Sequence, residues 1–249
     1  MNELSLFSGA GGGLLATKHF LNWRTIGYVE FNNYCQQVLA QRIKDGTLDE
    51  APIFTDIRAF IDEGYADAYK GMVGVISAGF PCQPFSVAGE KKAKDDARNM
   101  WPQTLDVIRR VRPRYCLLEN VPGLLSRKHR YFETILKDLA ESGYNAKWKV
   151  ISAAEMGAPH KRDRLFIMAH SNSEGLEGQR QVPSGTEEKL SNIGDSRWWS
   201  TEPNVGRVAH GVASRVDRLK ALGNGQVPLV ADVAWGMLGG QELEEIRGV

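Results

Sequence analysis

The chain has 249 residues, 42% of them hydrophobic and 24% charged, which suits one folded unit with a sizeable core and excludes a low-complexity or fibrous chain. No apolar run approaches the roughly 18 residues that a membrane span needs, and the N-terminus lacks the basic and apolar blocks of a signal peptide. The net charge of +1 hides an uneven distribution: residues 1–75 carry −3, residues 76–170 carry +7 and residues 171–249 carry −3, so a polyanion would sit on the middle of the chain unless that charge simply coats a solvated face.

Taken in chain order, short apolar runs alternate with amphipathic stretches. Leu4–Phe7, Thr25–Val29, Ile53–Phe54, Val73–Ile76, Tyr115–Leu118 and Leu165–Ala169 have the pattern of buried strands. Leu14–Leu21, Tyr34–Ile43, Ile57–Tyr69, Pro102–Val111 and Tyr131–Ser142 have the pattern of helices between them. This alternation predicts an α/β fold, a mostly parallel twisted sheet with helices on both faces and its ligands beyond the carboxyl ends of the strands. The texture changes at His170. Ser, Gly, Glu and Asn then dominate, with Trp198-Trp199 as the one large apolar pair, until Val227–Leu238 returns to apolar residues at helical spacing. The expected organisation is a body over 1–170, a small inserted segment over 171–208 and a closing segment over 209–249 that rejoins the core.

The first strand runs into Ser8-Gly9-Ala10-Gly11-Gly12-Gly13, and a helix follows. Glycines at such a turn let the backbone approach a ligand closely, although a plain tight turn would use them too. The dinucleotide pattern GxGxxG is incomplete, since Leu14 stands where its third glycine belongs. Glu30 ends the second strand and Asp56 follows the third. One carboxylate there can accept from ribose hydroxyls and the other from an adenine amino group, whereas the bland alternative for Asp56 is a helix cap. After the fourth strand comes Gly79-Phe80-Pro81-Cys82-Gln83-Pro84-Phe85-Ser86. Cys82 sits at a strand end between two prolines, where a thiol gains little from burial and can act as a nucleophile. Cys35 and Cys116 lie inside predicted elements and are expected to be structural. Three cysteines with no CxxC or HxxxH pair point to a reducing interior, no disulfide framework and no metal. Glu119 ends the fifth strand, where burial raises a carboxyl pKa and lets it donate to a ring nitrogen, or where an arginine pairs with it.

These blocks, in order, resemble the cytosine-C5 DNA methyltransferases, and the resemblance runs over essentially the whole chain. Phe7-Ser8-Gly9-Ala10-Gly11-Gly12 is similar to the family's cofactor turn, and Gly79–Ser86 to its nucleophile motif. Glu119-Asn120-Val121 resembles its ENV motif, His160-Lys161-Arg162-Asp163-Arg164 its QxRxR motif, and Gly223-Asn224 with Val227-Pro228 its closing motif. Two departures stand out: His160 replaces the usual Gln, and Gly225-Gln226 replaces a small-then-apolar pair. The ending Arg215–Asn224 resembles compact bacteriophage or prophage members.

The resemblance implies a Rossmann-like S-adenosylmethionine-dependent methyltransferase fold, with S-adenosylhomocysteine as the product of the cofactor. It implies Cys82, Glu119, Arg162 and Arg164 as catalytic residues, with Cys82 adding to carbon 6 of a flipped-out cytosine. Phe7, Gly9, Gly11, Gly12, Glu30, Asp56, Ile57, Pro81 and Asn224 would bind the cofactor. Gln83, Ser86, Lys91, Lys92 and Arg98 would contact double-stranded DNA beside the nucleophile, and Arg197 and Arg207 would read sequence from the 171–208 segment. A monomer in the cytoplasm of a bacterial or phage-infected cell is expected, with no membrane partner. The rival activities are cytosine-C5 methylation of transfer RNA and a catalytically silent DNA-binding homologue.

Overall fold

A computed structural model describes residues 1–81, 99–126, 130–172 and 215–240. The body contains seven strands: β1 (Asn2–Leu6), β2 (Arg24–Val29), β3 (Ile53–Phe54), β4 (Val75–Ala78), β5 (Tyr115–Asn120), β6 (Tyr144–Ser152) and β7 (Asp163–Ser171). Between them run α1 (Gly12–His19), α2 (Asn33–Lys44), α3 (Ile57–Asp62), α4 (Tyr65–Ala68), α5 (Trp101–Val111) and α6 (Tyr131–Glu141). After residue 214, α7 (Arg215–Asn224) and α8 (Pro228–Met237) are the last described elements.

The strands form one sheet in the order β3-β2-β1-β4-β5-β7-β6. The first five are parallel, as their alternation with helices requires, and β7 runs antiparallel to both β5 and β6. The edge strand β6 is not among the strands expected from sequence. Asn145, Lys147, Trp148, Lys149 and Val150 are exposed on it, so no continuous apolar run marks it. The single helix expected over Ile57–Tyr69 is two, because Gly64 between α3 and α4 takes φ +79°, a left-handed conformation that ends a helix.

Alternation along each strand divides the core between the two faces. Leu4, Leu6, Ile76, Cys116, Leu118 and Ile167 pack against α3, α5 and α6. Val75, Tyr115, Leu117, Phe166 and Met168 pack against Val230, Ala231, Ala234 and Trp235 of α8. The closing helix thus rejoins the core as its spacing predicts, on the face that also carries α1. The strand order reverses direction between β1 and β4, and their carboxyl ends open a cleft there, where doubly wound sheets bind ligands.

Of the 171–208 segment only Ser171 and Asn172 are described, so Arg197 and Arg207 lie outside the described residues, as do Cys82, Gln83, Ser86, Lys91, Lys92 and Arg98.

Candidate active site

The turn after β1 is built from backbone that ordinary residues avoid. Phe7, Gly9 and Gly11 take φ of +54°, +56° and +83°. Only glycine enters that region without strain, so Phe7 costs about 1–2 kcal/mol, offset by its surroundings. A Cβ on Gly9 would meet nothing within 4 Å, so its glycine serves conformation and leaves the turn open. A Cβ on Gly11 would press on Leu48 at 3.2 Å, so that glycine serves packing instead.

Glu30 ties this turn to the end of β2. Its Oε2 accepts from the Gly9 amide at 2.7 Å and its Oε1 from the Asn32 amide at 2.7 Å. A carboxylate has about four acceptor positions, so each oxygen retains capacity for one more donor, such as a ribose hydroxyl. Phe31 follows with 75% of its surface exposed, an apolar face beside that carboxylate. Asp56 behaves as a helix cap: its carboxylate accepts from the Arg58 amide at 2.8 Å at the start of α3. Ile57 puts its side chain into the core. Of the residues expected to hold a cofactor, Phe7, Gly9, Gly12 and Asn224 line the cleft, as does Glu119, whereas Gly11, Glu30, Asp56 and Ile57 do not.

Gly79-Phe80-Pro81 continues β4 as a stem fixed at two carbonyls. Asn120 Nδ2 donates to the Phe80 carbonyl at 3.0 Å, and the Met100 amide donates to the Pro81 carbonyl at 3.2 Å. The buried Phe80 ring packs on Trp101, 5.3 Å between centroids. Cys82, the next residue, lies outside the described residues. Pro81 itself is exposed and does not line the cleft. The other two cysteines are inert by environment. Burial pushes the Cys35 thiol up to about 11 and the fully buried Cys116 thiol well above the ordinary thiol range.

The acid and the arginines come from neighbouring antiparallel strands. Glu119 of β5 stands opposite Phe166 of β7, and Arg164 is the diagonal neighbour on the same face. Arg164 Nε donates to Glu119 Oε1 at 2.8 Å. Burial raises the Glu119 pKa above the usual carboxylate range, against the opposing pull of Arg164, Arg162 and a hydrogen bond from Gln226. The RxR spacing puts both arginines on one face, but they do different work. Arg162 Nη2 donates to the carbonyls of Gly223 and Gly225, at 2.8 and 2.6 Å, and so fastens the closing turn that carries Asn224. Desolvation lowers its pKa, with the Arg164 charge adding to the effect.

Three participants escape the sequence reading. Asn120 holds the nucleophile stem, Phe31 flanks Glu30, and Gln226 reaches Glu119. An exposed aromatic immediately after a strand-end acid was a usable signal for Phe31. Asn120 and Gln226 make contacts at sequence separations of 40 and about 100 residues, which no local pattern reveals. Among the described residues no group of three or more His, Cys, Asp or Glu side chains could hold a metal ion, and no helix is long and apolar enough to cross a membrane.

A seven-stranded sheet in which β7 alone is reversed, and a cleft running from a glycine turn at β1 to an acid at the end of β5, define a Rossmann-like methyltransferase fold. Residues 1–221 match the family of C-5 cytosine-specific DNA methylases, and the chain belongs to that family. It is 34% identical over 176 residues to the type II methyltransferase M.AplI of Arthrospira platensis, covering 68% of this chain and 46% of that one. It is 31% identical over 171 residues to the type II methyltransferase M.NgoMIV of Neisseria gonorrhoeae, covering 68% and 52%. The chain therefore spans about half the length of the curated relatives it matches. The S. pombe Dnmt2 methyltransferase superposes with a TM-score of 0.53 at 24% identity, over 70% of this chain and 52% of that one, a likeness of fold.

Proposed function

We propose that the chain transfers a methyl group from S-adenosylmethionine to carbon 5 of cytosine in double-stranded DNA, with Cys82 as the nucleophile. The observation that carries this reading is the Glu119–Arg164 pair, a largely buried acid held by a guanidinium on the same cleft as the glycine turn. S-adenosylmethionine supplies an electrophilic methyl group when bound. Glu30 has acceptor capacity left for the ribose hydroxyls, Phe31 offers an apolar face to the adenine, and Asn224 closes the cleft.

Carbon 5 of cytosine is a weak nucleophile while the ring is aromatic. Addition of the Cys82 thiolate to carbon 6 breaks that aromaticity and moves electron density to carbon 5 and N3. Glu119, held by Arg164 and Gln226 in a desolvated site that raises its pKa, engages N3 and the exocyclic amine and stabilises the charge that develops there. Arg164 donates to the carbonyl O2 while fixing the Glu119 carboxyl. Carbon 5 then displaces the methyl group from the sulfonium, breaking its S–CH3 bond and releasing S-adenosylhomocysteine; a water-assisted base removes the carbon-5 proton, and elimination of the C6–S bond frees the Cys82 thiolate. Carbon 6 is out of reach inside a duplex, so the base must be flipped out at a cost of a few kcal/mol. The 171–208 segment, with Arg197 and Arg207, supplies the sequence reading; transplanting it into a relative of different specificity should transfer the methylated site.

The test is a denaturing gel with duplex DNA containing 5-fluorocytosine, where fluorine blocks the final elimination. A covalent adduct is expected with the wild-type chain and none with Cys82→Ser. No adduct, an equal adduct with Cys82→Ser, or faster methylation of transfer RNA than of duplex DNA would overturn the reading.

A further inference from the structure

Gln226 occupies a slot made by three glycines from two distant segments. It lies in the turn between α7 and α8, where the family motif carries an apolar residue. A Cβ on Gly12 would stand 2.8 Å from the Gln226 carbonyl oxygen, and a Cβ on Gly13 only 2.4 Å from its Oε1. On the other side of the cleft, a Cβ on Gly79 would lie 3.2 Å from Gln226 Nε2 and 3.1 Å from Glu119 Oε2. The carboxamide therefore passes between the cofactor turn and the stem of the nucleophile loop, and it donates to the Glu119 carboxylate. Arg162 holds the backbone of the same turn through the Gly223 and Gly225 carbonyls. An apolar side chain at this place could fill the slot but could not donate.

We infer that Gln226 is a positioning residue for the methyl-transfer reaction, its carboxamide fixing the Glu119 carboxyl against Arg164 from the cofactor side of the cleft. The inference rests on the proposed role of Glu119 as the group that meets the base. With Arg164 on one carboxyl oxygen and Gln226 beside the other, the acid has one orientation in which to meet a ring nitrogen. Among the described residues the charged groups facing Glu119 are Arg164 on β7 and Arg162 just before it; β4 and the turn at 225–227 contribute no ionisable side chain. A donor to the carboxylate favours its ionised form, so loss of Gln226 moves the Glu119 titration upward.

Two variants separate positioning from packing. Gln226→Met keeps the length and removes the donor, and Gln226→Glu keeps the shape and adds an acid. In single-turnover methylation of duplex DNA at saturating cofactor, Gln226→Met should lose roughly tenfold in rate, the value of one hydrogen bond to a charged group. Its cofactor Kd, measured by calorimetry, should stay within about threefold of wild type, less than half a decade in affinity. Gln226→Glu should be slow at neutral pH and regain rate as the pH falls, because its protonated carboxyl again donates to Glu119. The second measurement needs no turnover: carbon-13 NMR titration of the Glu119 carboxyl in cofactor-free protein, assigned with Glu119→Gln. Gln226→Met should move the midpoint upward. A Glu119 midpoint unchanged in Gln226→Met overturns the inference. So does loss of rate, cofactor affinity and melting temperature in proportion for both variants, with no acid recovery in Gln226→Glu. Failure of the wild-type chain to methylate DNA would sink the proposed function, while the NMR midpoint would still decide the role of Gln226 toward Glu119.

Discussion

Glu119 and Arg164 meet diagonally across the β5–β7 pair, with Arg164 Nε 2.8 Å from Glu119 Oε1 on the face that lines the cleft. The pair explains how an acid is kept both buried and usable. Without the guanidinium the carboxyl would keep the contact from Gln226 and lose the one that fixes it to β7. Arg164→Lys keeps a charge but loses the planar fork, and the two residues are not interchangeable at such a site. Arg164→Lys is expected to lower the single-turnover rate by about 10²–10³, the range seen when one transition-state donor is removed. Cofactor affinity should change little, since Arg164 does not line the glycine turn. Rapid-quench kinetics with parallel calorimetry check both halves, and an unchanged rate would remove Arg164 from the chemistry.

The stem of the nucleophile loop gives a second prediction. Asn120 Nδ2 donates to the Phe80 carbonyl, and that carbonyl is buried with its residue. Asn120→Ala leaves the carbonyl without this donor, at about 1–3 kcal/mol. The expected result is slower adduct formation with 5-fluorocytosine DNA at intact cofactor affinity, since Cys82 is two residues along the chain from Phe80. Asn120→Asp should fail as well, because an ionised carboxylate cannot donate. Equal adduct rates in wild type and Asn120→Ala would show that the stem is held by the Met100 amide alone.

The body of the fold was legible because its strands are short apolar runs separated by helical spacing, and because α8 carries its apolar face in sequence. The exposed edge strand β6 escaped for the same physical reason that makes it an edge: it has one neighbour and little burial, so Lys147 and Lys149 interrupt its pattern. In the site, strand-end acids and RxR alternation are local signals: Glu30 follows β2 and bonds the glycine turn, and Arg164 pairs with Glu119. What local sequence cannot show is which carbonyl a side chain will find. Arg162 acts on Glu119 through its charge, as the RxR spacing suggests, but nothing local shows that its Nη2 also donates to the Gly223 and Gly225 carbonyls. Asp56 had two expectations, an adenine acceptor or a helix cap, and the structure shows the cap.

Glu30 supports a third prediction. Its two oxygens accept from the Gly9 and Asn32 amides, so the residue shapes the turn that the cofactor is proposed to meet. Glu30→Gln retains one acceptor and Glu30→Ala none. Cofactor affinity should fall in that order, by about 1–3 kcal/mol for the alanine variant. Isothermal calorimetry with S-adenosylhomocysteine measures it directly. An alanine variant that binds as tightly as wild type would remove Glu30 from the cofactor site.

Glu3 supplies the last prediction, one of stability and not of chemistry. It is fully buried on β1 and accepts hydrogen bonds from the hydroxyls of Thr17, Thr25 and Ser77. Burial raises its pKa above the ordinary value of 4.5, and the three hydroxyls only partly oppose this. The folded state therefore holds a proton that the unfolded chain releases. Between the ordinary carboxylate value and the raised one, the folded chain binds more protons than the unfolded chain, so stability contributed by this group falls as pH rises. Glu3→Gln removes that dependence. Its melting temperature relative to wild type should climb from acidic to neutral pH, even though the amide cannot accept from all three hydroxyls as well as a carboxylate does. Glu3→Leu should be less stable than Glu3→Gln at every pH, because it leaves the buried Thr17 and Thr25 hydroxyls and the half-buried Ser77 hydroxyl to find other partners, at about 1–3 kcal/mol for each buried one that fails. Thermal melts of the three proteins from pH 5 to pH 8 test this. A constant offset between wild type and Glu3→Gln across that range would mean that Glu3 has the same pKa folded and unfolded.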